Sequence, residues 1–152
     1  MSVDFGCIAW HEDGRWSATT LASTRDIGAI IDALKAQQTN GGAIGLIAIE
    51  DEFVIIARAL GDQMQMMISD ITYALDYEVA AELVEVLDLE FPEEEDESQP
   101  GGDLDLLNDL GVSEMELLTI LDDSELYPDE QLEAIANRLG FGEQFNQVIE
   151  SN

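Results

Sequence analysis

Three apolar runs, AIGLIAI (43–49), FVIIARA (53–59) and QMQMMIS (63–69), follow one another, separated by turns at Glu50-Asp51-Glu52 and Gly61-Asp62. Each is of strand length, rich in Ile, Val or Met and bounded by turn residues, which predicts three consecutive β-strands. Upstream, VDFGCIAW (3–10) and RWSATTLA (15–22) are two more strand-like runs. His11-Glu12-Asp13-Gly14 joins them, and its Asp-Gly pair predicts a tight hairpin. Between the two sets, TRDIGAIIDALKAQ (24–37) places Ile27, Ile30, Ile31 and Leu34 at helical spacing. Ser23 or Thr24 serves as its cap and Asn40-Gly41-Gly42 as its stop. After the third run, Asp70 can cap ITYALDYEVAAELVEVLDL (71–89), whose apolar stripe is Val79, Leu83, Val86 and Leu87. The order ββαβββα over residues 1–90 is satisfied by an α+β domain, an antiparallel five-stranded sheet with helices packed on it.

Among known architectures this order resembles the longin or profilin-like arrangement, a likeness of topology that says little about activity. The composition then breaks at FPEEEDESQPGG (91–102), where two prolines flank five consecutive acids and two glycines close the segment. Such a stretch buries too little apolar surface to offset its ordering entropy, so it is expected to be an acidic flexible linker. Residues 103–152 read as a small all-helical module. LDLLNDLG (104–111) stops at a glycine, with Asp103 as the expected N-cap and Gly101-Gly102 as a hinge. SEMELLTILDD (113–123) opens on the capping box Ser113–Glu116. PDEQLEAIANRLG (128–140) starts at a proline and carries Leu132, Ile135, Ala136 and Leu139 on one face. Phe145, Val148 and Ile149 suggest a last short helix.

Thirty-four acidic residues face five basic ones, a net charge of −29. The excess is spread along the chain: −12 over residues 1–90, −5 over 91–102 and −12 over 103–152. A field of that sign repels phosphate and anionic lipid, which argues against direct nucleic-acid or membrane binding. It favours a basic protein surface, a cation or simple solubility. A single cysteine, Cys7, excludes an internal disulfide and a Cys-rich zinc site. The first residues have neither the basic region nor the apolar run of a signal peptide, and no stretch approaches a membrane span, so a cytoplasmic protein is expected.

The candidate chemistry is sparse. His11-Glu12-Asp13 places Asp where the H-x-E signature of zinc deaminases needs Glu, and no C-x-x-C follows. A solvated hairpin turn explains the same residues. Cys7 alternates with Phe5 and Ala9 along its strand and reads as a small core residue. Met64, Met66 and Met67 read as sheet core, and Trp10 and Trp16 as packing across the hairpin. Between Asp103 and Glu114 the oxygen spacing approaches a calcium loop. Its fifth position is Leu107, however, and Asn108 stands where the loop needs glycine. Leu104, Leu107 and Leu110 recur as a buried helix face requires. No catalytic residue, cofactor or metal ligand is assigned.

FGCIAWHEDGRWSA, MMISDITYALDYEVAAELVEVL, GDLDLLNDLG and LDDSELYPDEQLEAIANRLGFGEQF, taken in order, resemble the actinobacterial tRNA adenosine deaminase-associated protein family over nearly the whole chain. The resemblance implies association with the enzyme that converts wobble adenosine to inosine, and no activity, cofactor or catalytic residue of its own. The expectation is a non-catalytic accessory protein that binds the deaminase, or another basic protein, through an acidic face. The surface chosen for that contact is Asp122, Asp123, Asp129 and Glu130 around Tyr127, with Phe141 and Phe145 from GFGEQF. The alternative is a small-molecule-binding or regulatory domain that forms a homodimer, unrelated to tRNA editing.

Overall fold

The computed structural model describes residues 4–123 and 125–151. Val3, at the start of the first strand-like run, lies outside them with Met1, Ser2, Ser124 and Asn152. Among the described residues the chain forms six strands, β1 Phe5–Glu12, β2 Arg15–Thr20, β3 Ala43–Ile49, β4 Phe53–Leu60, β5 Gln63–Ile68 and β6 Gly101–Gly102. They make one antiparallel sheet in the order β2-β1-β3-β4-β5-β6. The α-helices are α1 Ile27–Gln37, α2 Glu78–Val86, α3 Glu114–Leu121, α4 Pro128–Leu139 and α5 Gly142–Ser151.

The central strands explain the apolar runs. β3 is buried at every position and β4 at every position but Leu60, because helices cover both faces of the sheet. On one face Ile27, Ile30 and Leu34 of α1 and Val79, Leu83 and Val84 of α2 pack on Ile47, Ile49, Phe53, Ile55 and Ile68. On the other, Leu117 of α3, Leu132 and Ile135 of α4 and Phe145 and Val148 of α5 pack on Cys7, Ala9, Leu46, Val54, Ile56 and Met67. Alternate residues of each central strand thus enter different cores, and both sets must be apolar. Met66 and Met67 fill one core each, as their reading as sheet core requires.

The expected five strands become six. Gly101 and Gly102, read as a hinge, pair with Ile68 and Met67 at the sheet edge. Only glycine fits there: Gly102 has φ +101°, and a Cβ on it would press on the backbone at Met66 and Met67. Asp103 is consequently no helix cap. Its backbone N–H donates to the Met66 carbonyl at 2.8 Å and its carboxylate accepts the Met66 N–H at 3.0 Å. The expected helix over 104–111 is instead a set of turns ending in a single 3-10 turn, Asn108–Leu110, with Gly111 left-handed at φ +98°. The oxygens that resembled a calcium loop point to separate partners, Asp103 to Met66 and Asp109 to Arg58.

Three local expectations also shift. Asp26, and neither Ser23 nor Thr24, caps α1 by accepting the Ala29 N–H at 3.1 Å. The helix expected over 71–89 divides into a 3-10 turn, Ile71–Leu75, and α2. The division leaves Tyr77 extended, with Tyr73 and Tyr77 both packed on Phe53 at ring distances of 4.9 and 5.2 Å. Trp10 and Trp16 do not meet across the hairpin: Trp10 borders the α1–α2 core and Trp16 the α3–α5 core. The pairing of Trp10 with Ser17 and of His11 with Trp16 puts the two indoles on opposite faces. No helix among the described residues is long and apolar enough to cross a membrane.

Candidate partner-binding surface

α3 is capped as its sequence predicts, the Ser113 hydroxyl accepting the Glu116 N–H at 3.2 Å. Five of its eight residues, EMELLTIL, are apolar, more than one buried face requires. Leu117 is fully buried, while Ile120 and Leu121 rest half-buried against the core. Met115 and Leu118, three residues apart, form a second row, with Met115 79% exposed. An unspent apolar row on an acidic helix is the first requirement of a contact surface.

A strap of chain forms the opposite wall. The Ser98 hydroxyl donates to Asp70 Oδ2 at 2.7 Å, and the Ile71 N–H donates to the Gln99 carbonyl at 2.8 Å. Between strap and helix lies a groove of about 740 Å³. Its apolar lining is Pro100, Met115, Leu118 and Leu121, and its acids are Glu114, Asp122 and Asp123. Beyond it, Asp123 Oδ1 accepts the Glu125 N–H at 3.0 Å, and Glu130 Oε1 accepts the Tyr127 N–H at 3.0 Å to open α4.

Of the residues chosen from sequence, Asp122 and Asp123 therefore share one groove. Tyr127, 64% exposed, Asp129 and Glu130 belong to the next element; they are exposed but do not line it. Phe141 and Phe145 are corrected: both are 0% exposed and offer nothing to a partner. Phe141 packs on Trp16 at 4.8 Å, and Phe145 meets Phe5 edge-on at 5.3 Å. Their amphipathic spacing served the sheet. Met115, Leu118 and the strap were missed, although the apolar surplus of EMELLTIL was a visible signal.

The acids of this groove meet no base among the described residues. Three of the five bases are already engaged: Arg25 with Asp4 and Glu50, Arg58 with Asp109, and Arg138 with Glu116. A second groove, of about 530 Å³, contains Arg25 beside Glu50 and Tyr77. There Arg25 is spent as a clamp, donating to Asp4 at 2.6 and 2.9 Å and to Glu50 at 2.8 Å, with its guanidinium 5.5 Å from the Tyr77 ring. The Arg25 hydrogen bonds hold the Asp4 carboxyl below its usual range, whereas burial and the Glu52 carboxylate raise the Tyr73 phenol above its own.

The thiol and the imidazole stay apart. Burial pushes the Cys7 thiol up to about 12, which suppresses the nucleophilic thiolate. His11 lies four residues further along β1, roughly 13 Å away at strand rise, with its ring 5.0 Å from Trp16 in the exposed hairpin. No three His, Cys, Asp or Glu side chains among the described residues are grouped to hold a metal.

Fold and surface together define the class: an acidic, three-layer α+β protein with an antiparallel sheet, whose groove mixes apolar and carboxylate groups. More narrowly, the chain belongs to the Rv3753c-like tRNA adenosine deaminase-associated protein family, whose pattern matches residues 4–142. It is 38% identical over 151 residues to protein Rv3753c of Mycobacterium tuberculosis (strain ATCC 25618 / H37Rv), a match covering 96% of this chain and 87% of that protein. No solved structure matches the chain.

Proposed function

We propose that this chain is a non-catalytic accessory protein that binds a basic partner surface through the groove beside α3, the tRNA adenosine deaminase of its family description being the partner. The observation that carries the reading is the meeting of Met115 and Leu118 with Glu114, Asp122 and Asp123 in one groove free of bases. An apolar row supplies affinity on desolvation, and unpaired acids supply orientation and a fast encounter with a cationic surface. An acidic face also imitates a phosphate backbone, so the chain competes with tRNA for the enzyme's basic surface.

The test mixes the purified deaminase with this protein at low and high salt, measuring complex formation and deaminase activity. A complex that weakens with salt and inhibition relieved by added tRNA are expected. Asp122→Lys with Asp123→Lys should weaken binding by about tenfold or more, since two desolvated attractions become repulsions. No complex at any salt overturns the proposal.

A further inference from the structure

We propose that the free edge of β2 is a self-association surface, where a second copy of this chain adds its own β2 antiparallel and joins two sheets across a twofold axis. The inference stands apart from deaminase binding, because β2 and β6 lie at opposite edges of the sheet.

β6 is only two residues long, whereas β2 presents six. The hairpin loop has two residues, Asp13 and Gly14, at φ +53° and +78°. That makes Glu12 and Arg15 a hydrogen-bonded pair, and the type alternates from there. The Leu21 N–H donating to the Gly6 carbonyl at 2.8 Å continues the same alternation. Trp16, Ala18 and Thr20 therefore turn their backbone groups outward. Gln144 of α5 shields one of them, donating to the Trp16 carbonyl at 3.3 Å. Among the described residues nothing else pairs with the N–H and C=O groups of Ala18 and Thr20, which form a template for another strand.

Charge selects the occupant. Residues 14–25 contain no acid and two of the five bases. The groove beside this edge, about 200 Å³, is lined by Ala18, Thr19, Thr20, Gln144, Gln147 and Val148, all uncharged. The larger grooves beside Arg25, α2, α3 and the first hairpin each carry acids. Two molecules of charge −29 approach with least repulsion through this neutral edge. A register pairing Ala18 with the second copy's Thr20 uses both open residues, leaves Gln144 in place and sets the two Thr19 side chains opposite each other at a non-hydrogen-bonded position. Cross-strand side chains are closest at such a position.

The register is tested by mass in solution and by cross-linking. Wild-type protein should show a dimer that strengthens with salt, as screening removes the residual repulsion. Thr19→Glu places two carboxylates face to face and should weaken the dimer by about tenfold. Thr19→Cys, oxidised with diamide, should give a reducible covalent dimer, while Gln63→Cys at the other end of the sheet should not. Buried Cys7 remains unreactive in both. A wild-type protein that stays monomeric at all salts with Thr19→Cys uncross-linked overturns the proposal. So does a dimer that Thr19→Glu leaves intact.

Discussion

Arg58 is the sixth residue of FVIIARA, where the pattern calls for an apolar residue, and it is 3% exposed. Its Nη1 donates to the Leu106 carbonyl at 3.1 Å and to the Asp109 carboxylate, while its Nε meets no partner among the described residues. The pair fastens the turns after β6 to the sheet, and the guanidinium keeps the Asp109 carboxyl below its usual range. Its two halves are unequal, because Asp109 is 59% exposed and can be hydrated alone, whereas Arg58 cannot. Asp109→Ala should therefore destabilise the protein by about 2 kcal/mol, less than the roughly 3–5 kcal/mol of breaking a fully buried pair because one side is wet. Arg58→Met, apolar and of similar length, should be within about 1 kcal/mol of wild type. Urea unfolding of both variants checks the asymmetry; equal losses would contradict it.

Asp70 shows at the level of elements what the sequence could and could not disclose. Its role as a cap was legible, and it accepts the Thr72 N–H at 2.9 Å. Its second role was hidden, because Ser98 lies 28 residues away in a stretch whose composition reads as disorder. Composition reports what a segment can bury by itself and is blind to a neighbour that supplies hydrogen bonds and a paired edge. The same blindness made Gly101 and Gly102 a hinge and Phe141 and Phe145 a surface. In the groove, Asp122 and Asp123 were readable as acids of a contact surface, but its apolar wall depends on how the strap is fastened. Asp70→Ala removes both roles and should cost about 1–2 kcal/mol as a lost cap. More specifically, it should speed cleavage after Glu93, Glu94, Glu95 and Glu97 by a glutamate-specific protease under native conditions. If cleavage is no faster than in wild type, Asp70 does not hold the strap.

Across the whole molecule, 34 acids against five bases oppose compaction at neutral pH. The described ion pairs offset little of this, since the side chains of Arg25 and Arg138 are about half exposed to solvent. Salt acts on both terms, but repulsion among many acids extends beyond the screening length of about 8 Å at physiological strength, and contact pairs do not. Raising salt from about 0.05 to 0.5 M should therefore raise the melting temperature. Acid then separates the opposing terms. Asp4 and Asp109 have lowered values in the folded protein, so the unfolded chain takes up their protons first. Their stabilisation is complete above the ordinary carboxylate range and disappears as pH falls through the lowered values. Protonating the unpaired acids relieves repulsion over the same descent. In Asp109→Asn the first contribution is reduced, so its stability deficit relative to wild type should be largest near neutral pH and shrink below the ordinary carboxylate range. Thermal midpoints of both proteins across that range measure the difference. A deficit that grows on acidification would show that the Arg58–Asp109 pair is not what holds the turns after β6 to the sheet.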